Sequence, residues 1–292
     1  VHVLSGIEVV SLAVNVPGPV AAARLADHGA SVVKVEPPQG DPLHRHAPRW
    51  YARLTRSQTI LRLDLKTSEG QTALAERLQG ADLLLTANRP AALARLHLDF
   101  ASLHTRLPRL CVLQIVGFPA PHDDLPGHDL SFQAAAGLIV DPPRMPFTLL
   151  ADLMGAERVV AEALAALLHR ERTGEATCRQ VSLAEAAEAL SAPVALGLCR
   201  PDSPLGGAHP GYGLYRTKDG WIALAALEPG FVERLREALD VPALTAARLR
   251  RIFRERTSAR WETWGRRHGV PVTRLSAPRR SPAPVPTSGR GH

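Results

Sequence analysis

The sequence predicts an α/β protein: a large parallel-sheet domain over residues 1–202, a smaller α+β domain over 203–275, and a disordered tail over 276–292. Three observations lead there. Across the first 115 residues short apolar runs alternate with helical patterns, as in strands joined by crossover helices. Past residue 203 the pattern changes to a hairpin signal followed by short helices. From Ser276 the chain is rich in Pro, Arg, Ser and Gly, a composition too poor in apolar groups to fold.

Taken in order, Ile7 to Ala13 reads as a buried strand, and Pro17-Gly-Pro19 breaks it. Proline suits the first turn of a helix, here one running to about Asp27, because its missing N–H has no partner there anyway. Gly29 ends that helix and Ser31 to Val35 forms the next strand. Ser68 with Gln71 makes a capping box for a helix through Leu78, closed by Gly80. Strands at Ala81–Thr86 and Leu110–Val116 complete the alternation. Leu153 to His169 is apolar nearly all round, which predicts a largely buried helix. A short strand near Arg179–Leu183 leads to another apolar helix. Tyr212–Arg216 and Trp221–Ala226 flank Thr217-Lys-Asp-Gly220 as a hairpin, followed by helices from Pro229 and from about Ala246.

Composition narrows the function classes. A chain of 292 residues with 45% hydrophobic and 22% charged residues is ordinary for a globular protein. No apolar run approaches the roughly 18 residues that span a bilayer, and the N-terminus lacks a signal-peptide layout, so a cytoplasmic protein without membrane association is expected. The net charge of +7 is concentrated between Arg248 and Arg290, with no RNP motif, zinc-finger spacing or aromatic ladder. Nucleic acid is therefore not the expected partner; a polyanionic small molecule accounts for the charge equally well. Cys111, Cys178 and Cys199 are far apart, without a CxxC, so reduced, buried thiols are expected and neither disulfide nor metal site is. The first strand–turn–helix unit lacks GxGxxG, so no dinucleotide fingerprint is present.

Three residues carry candidate acid–base chemistry. Asp152 stands at the start of a long apolar helix, where a carboxylate commonly serves only to cap. A carboxylate there can also turn one oxygen to a ligand while helix amides hold the other. His128, in Gly127-His-Asp129, is one of twelve histidines, most of which belong on the surface. Imidazole nevertheless suits proton transfer, because both of its protonation states are populated near neutral pH. Asp129 is placed to orient that ring or to cap the helix after it. Glu228, in Leu227-Glu-Pro-Gly-Phe231, lies between a strand and a helix, where a helix-start charge is again the simpler role. Lys34, Arg56 and Arg89 share a placement near the C-terminal ends of strands, where α/β sheets bind ligands, and their cations suit phosphates.

Four segments in order carry a family resemblance: Leu4-Ser-Gly-Ile-Glu-Val-Val-Ser-Leu, Lys34-Val-Glu-Pro-Pro-Gln-Gly-Asp-Pro42, Pro126-Gly-His-Asp-Leu, and Leu149-Leu-Ala-Asp152, the aspartate 24 residues after the histidine. Over residues 4 to 275 the sequence resembles the family III CoA-transferase superfamily, which includes formyl-CoA and carnitine CoA-transferases, and comes closest to its 2-methylacyl-CoA racemase branch. The resemblance implies a Rossmann-like large domain, an interlocked homodimer, and acyl-CoA thioester chemistry with no cofactor beyond coenzyme A. It assigns Asp152 as nucleophile or acid/base, His128 as a second base across the α-carbon, Glu228 as the carboxylate near that histidine from the partner side of the cleft, and Lys34, Arg56 and Arg89 as CoA contacts. Gly206-Gly-Ala and Tyr215-Arg-Thr-Lys-Asp-Gly220 match the small domain of the same branch.

The sequence departs from the family pattern in four places. Gln58 stands where a lysine is usual, Met154-Gly-Ala replaces a glycine-rich stretch, and the loop from Asp141 to Pro146 is short. The segment by which family members return to the large domain is also missing, the expectation being a truncated or degenerate copy, or a shifted reading frame at the end. Three functions follow: racemisation at the α-carbon of a branched acyl-CoA, CoA transfer between acids through an Asp152 anhydride, or CoA binding without catalysis. His128 together with Glu228 favours the first, since transfer needs no imidazole base.

Overall fold

The computed structural model describes residues 2–276. The tail expected to be disordered lies, beyond Ser276, outside the described residues. The chain divides into two compact units, the first ending at Ala192 and the second beginning at Pro193.

The first unit is built on six parallel strands: β1 (Glu8–Ser11), β2 (Ser31–Glu36), β3 (Gln58–Arg62), β4 (Leu83–Thr86), β5 (Cys111–Val116) and β6 (Cys178–Ser182), in spatial order β3-β2-β1-β4-β5-β6. Between them run α1 (Pro17–Asp27), α2 (Pro42–His46), α3 (Pro48–Leu54), α4 (Ser68–Gln79), α5 (Pro90–Arg95), α6 (Phe100–Arg106), α7 (Asp129–Ala135) and α8 (Leu150–Thr173). The inner strands are largely apolar on both faces because helices cover both. Val9, Leu83, Leu85 and Leu113 join a core with Ala21, Leu25 of α1 and Ala156, Val159 of α8. Val10, Leu84 and Val112, one residue out of phase, join Leu74 of α4, Leu93 of α5 and Leu103 of α6 on the other face.

Local chemistry differs from the sequence expectation at several points. The cap of α4 is Thr67, whose side chain accepts from the Gly70 N–H, so Ser68 is the first helical residue and not the cap. The reason is the turn before it: the Thr67 N–H and hydroxyl both donate to the Asp64 carbonyl, holding Thr67 in extended backbone. β3 escaped the periodicity because it is an edge strand with a half-exposed, polar-rich sequence, Gln-Thr-Ile-Leu-Arg. α8 is longer than expected and leaves Leu164 and Leu168 exposed rather than burying its whole surface. Of the three free thiols only Cys111 is buried; Cys178 and Cys199 are exposed, because the first opens an edge strand and the second lies in the turn after α9 (Leu183–Ala195).

In the second unit, β7 (Tyr212–Arg216), β8 (Trp221–Ala225) and β9 (Val272–Arg274) form an antiparallel sheet in that order. α10 (Pro229–Ala238), α11 (Ala246–Phe253) and α12 (Ser258–His268) bury Leu235, Leu249, Phe253 and Trp261 against Ile222 and Leu224. The Trp261 indole satisfies its N–H on the Phe253 carbonyl at 2.8 Å.

A buried ionic cluster organises the C-terminal edge of the large sheet. Lys34, on β2, is fully buried; its Nζ lies 2.8 Å from Asp41 Oδ2, 3.6 Å from Glu36 Oε1 and donates to the Ala13 carbonyl at 2.9 Å. Asp41 Oδ1 accepts the N–H groups of Asn15 (3.0 Å) and Leu43 (2.9 Å), and Tyr51 donates to Glu36. One cation therefore sits between two carboxylates that are otherwise filled by N–H and O–H donors. Asp41→Ala would strand the Lys34 ammonium away from water, so it is expected to destabilise the protein by about 3–5 kcal/mol in urea unfolding, with Asp41→Asn losing less because it keeps the acceptor for Asn15. A loss of Asp41→Ala below about 1 kcal/mol would show that the cluster does not hold this edge.

Candidate active site

The sheet winds outward from β1 through β2 to β3 and then resumes beside β1 with β4. The loop after β1 turns to the face covered by α1, while the loop after β4 turns to the opposite face covered by α5. Two loops that part in this way leave a crevice above the strand ends, the usual ligand position in open α/β sheets. A cavity of about 290 Å³ lies there, lined by Val14 and Asn15 after β1, Arg89 after β4, Gly117 after β5, and then Asp123, His128 and Asp152. The histidine and the aspartate that the sequence singled out thus share one cleft.

Asp152 belongs to the first turn of α8, and the position before the helix is Leu149, with no side-chain cap of its own. The missing cap comes from elsewhere in the chain. Asp129 Oδ1 accepts the Asp152 N–H at 3.1 Å, and its other oxygen accepts from Gln133 Nε2, which also donates to the Thr148 carbonyl. Asp129 therefore neither orients the His128 ring nor caps α7: the donors that meet its carboxylate are those of α8 and of Gln133 one turn along its own helix. Asp129 is buried and takes the anion position at the α8 N-terminus. Asp152, partly buried beside it, meets the opposite environment. Burial first, and the negative charge of Asp129 second, push its carboxyl up to about 7.

His128 is exposed at the residue preceding α7, in extended backbone, and its N–H donates to Ser131 Oγ at 3.0 Å. His128 is one of the residues that line the cleft. Gly127 is required beside it, because a Cβ there would run into the Phe132 ring.

The cationic candidates separate. Arg89 is exposed along the same cleft, with no carboxylate paired to it among the described residues. Arg56 lies in a different cavity with Arg24 and Arg53, and its guanidinium meets Asp27 at 3.2 Å. Lys34 has no exposed surface, and its ammonium is enclosed by the Asp41–Glu36 cluster. Glu228 is exposed in the second unit at the residue before α10, without a side-chain cap bond.

Two features escaped the sequence reading. Asn15 lines the cleft with a left-handed backbone, φ 67°. A second cavity of about 240 Å³ lies over the ends of β1 to β4, walled by Leu12, Pro37, Pro38, Leu63 and Leu65, with Lys66 and Asn88 also lining it. Lysine after a strand end was the available signal for the second; nothing in a periodic pattern marks the first. No group of His, Cys, Asp and Glu among the described residues forms a metal site, and no helix among them is long and apolar enough to cross a membrane.

Comparison with known proteins agrees with this architecture. The family model described as CoA-transferase family III matches residues 4–281. Succinate–glutarate CoA-transferase of Agrobacterium fabrum is 31% identical over 269 residues, covering 82% of this chain and 67% of that protein. The alpha-methylacyl-CoA racemase of Homo sapiens is 32% identical over 290 residues, covering 88% of this chain and 74% of that one. Among solved structures, a hypothetical protein of Mycobacterium tuberculosis has a TM-score of 0.83 at 26% identity, covering 94% of this chain and 85% of that chain. With the matched span, these relatives and the shared fold, the chain belongs to CoA-transferase family III, among whose members its relatives include both CoA-transferases and racemases.

Proposed function

We propose that this protein moves a proton on and off the α-carbon of a 2-methylacyl-CoA thioester, with His128 and Asp152 as the acid/base pair. The observation that carries this reading is the pairing, in one cleft, of an imidazole with a carboxyl raised to about 7. A carboxyl at that value is half protonated near neutrality and serves equally as proton donor and acceptor. CoA transfer through a mixed anhydride would need Asp152 as an ionised nucleophile, and the same burial works against that form. In the proposed reaction one of the two groups takes the α-proton, the electron pair moves onto the thioester oxygen as an enolate, and the other returns a proton to the opposite face. Inversion results, with no net change in atoms or charge.

Arg89 is the phosphate contact that this cleft supports best, because its guanidinium is exposed and unpaired among the described residues. The neighbouring apolar cavity suits the adenine ring, with Lys66 at its edge. A homodimer, the role of Glu228 beside the imidazole, and the absence of a cofactor beyond coenzyme A rest on the family resemblance alone.

Incubation with a 2-methylacyl-CoA in D2O, with and without succinate as acceptor, tests the reaction. Deuterium is expected at the α-carbon without acceptor; a new thioester formed only with succinate, and no exchange, would replace this reading by CoA transfer. Asp152→Ala and His128→Ala are each expected to slow exchange by about 10²- to 10⁴-fold, and undiminished exchange in either would remove that residue from the mechanism.

The Asp152 environment also predicts a pH-dependent stability. Its carboxyl, at 3.8 when unperturbed and about 7 in the fold, favours the folded state while protonated; that contribution is whole below 3.8 and lost as pH rises through about 7. Asp152→Asn, always neutral, is therefore expected to be more stable than the parent at pH 8, by on the order of 2 kcal/mol, with the gain vanishing toward pH 4. Equal unfolding curves at pH 8 would show that Asp152 is not strained by its surroundings.

A further inference from the structure

The turn after β1 is held from beneath at both ends: the Ala13 carbonyl accepts from Lys34, and the Asn15 N–H donates to Asp41. Between them Asn15 is fixed at φ 67°, in a region that costs a side chain energy and that glycine occupies freely. Asparagine tolerates this conformation better than most residues, so turn chemistry alone explains why a leucine is not found there. It does not explain why the position is not glycine. The Asn15 side chain is exposed along the cleft that also holds His128 and Asp152, and among the described residues its amide makes no hydrogen bond.

We infer that Asn15 is a substrate-contacting residue whose side-chain amide donates to the thioester carbonyl oxygen, with Lys34 and Asp41 as the positioning residues beneath it. This inference rests on the reading of the cleft as an acyl-CoA site. In proton exchange the negative charge that leaves the α-carbon gathers on that oxygen, so a donor carried on backbone already held in place stabilises the enolate with little reorganisation. Arg89 is the wrong group for the task if it holds phosphate, and His128 and Asp152 are occupied with protons. Asn15 supplies a neutral N–H that does not titrate and therefore leaves the protonation of its two neighbours undisturbed.

The substitution that separates the two explanations is Asn15→Gly, which satisfies the turn and removes only the amide. Two inert probes report on the carbonyl without turnover: S-(2-oxopropyl)-CoA, a thioether carrying a ketone, and S-propyl-CoA, which lacks it. By calorimetry the parent protein is expected to bind the ketone about tenfold more tightly, and Asn15→Gly to bind both within about twofold while keeping the parent's affinity for S-propyl-CoA. Its rate of α-deuterium exchange should fall by about 10- to 10²-fold, with an unchanged unfolding midpoint. A preference for the ketone that persists in Asn15→Gly, or that is missing from the parent, overturns the inference and leaves the CoA-site reading standing. Failure of the parent to bind either probe sinks that reading itself, and the role of Asn15 with it.

Discussion

The reversal of winding between β1 and β4 is the constraint on which the molecule depends. Adjacent parallel strands whose following helices go to opposite faces cannot close over their own C-terminal ends. The crevice left there is a product of topology, and side chains merely furnish it. The groups that line it come from loops and helix starts beyond the strands: Asn15 after β1, Arg89 after β4, and His128 and Asp152 on the long connection between β5 and β6. A strand order without the reversal would scatter the same residues over one face.

Two aspartates 23 positions apart show how one helix terminus sorts like groups into different surroundings. Asp129 accepts the first-turn N–H of α8 and the Gln133 amide, so both of its oxygens are met by donors. The Asp152 carboxyl, whose own backbone N–H is the one that Asp129 accepts, is left with burial and with the charge of its neighbour, which push it up to about 7. The arrangement also explains why the connection from His128 to Asp152 is long: α7 must bring Asp129 back against the start of α8.

The Lys34 cluster plays the complementary part on the other wall. A buried ion pair is a poor source of net stability, since desolvation offsets most of the attraction. What it provides here is direction: the ammonium and the Asp41 carboxylate each reach a backbone group of the β1–α1 turn. Basic residues near strand ends are read naturally as ligand contacts. Lys34 shows a different outcome, with the cation turned inward to hold the loop that a ligand would meet.

Much of the fold was legible in sequence because its signals are local. Five of the six parallel strands, the Pro17 helix start, and the hairpin around Thr217–Gly220 follow from periodicity and from the φ preferences of proline and glycine. β3 was not, since a half-exposed edge strand has no apolar run to announce it. The residues Asp152 and His128 could be nominated from their segments, but their meeting in one cleft is a matter of loops that are far apart along the chain. The inward turn of Lys34, the separation of Arg56 from Arg89, and the trans cap from Asp129 to α8 are of the same kind. Sequence by itself determined which segments are helix or strand and which side chains are able to carry charge or protons. The tertiary structure alone decided which of those side chains face each other and which lose their water, because burial and proximity belong to the packed chain and not to any stretch of it.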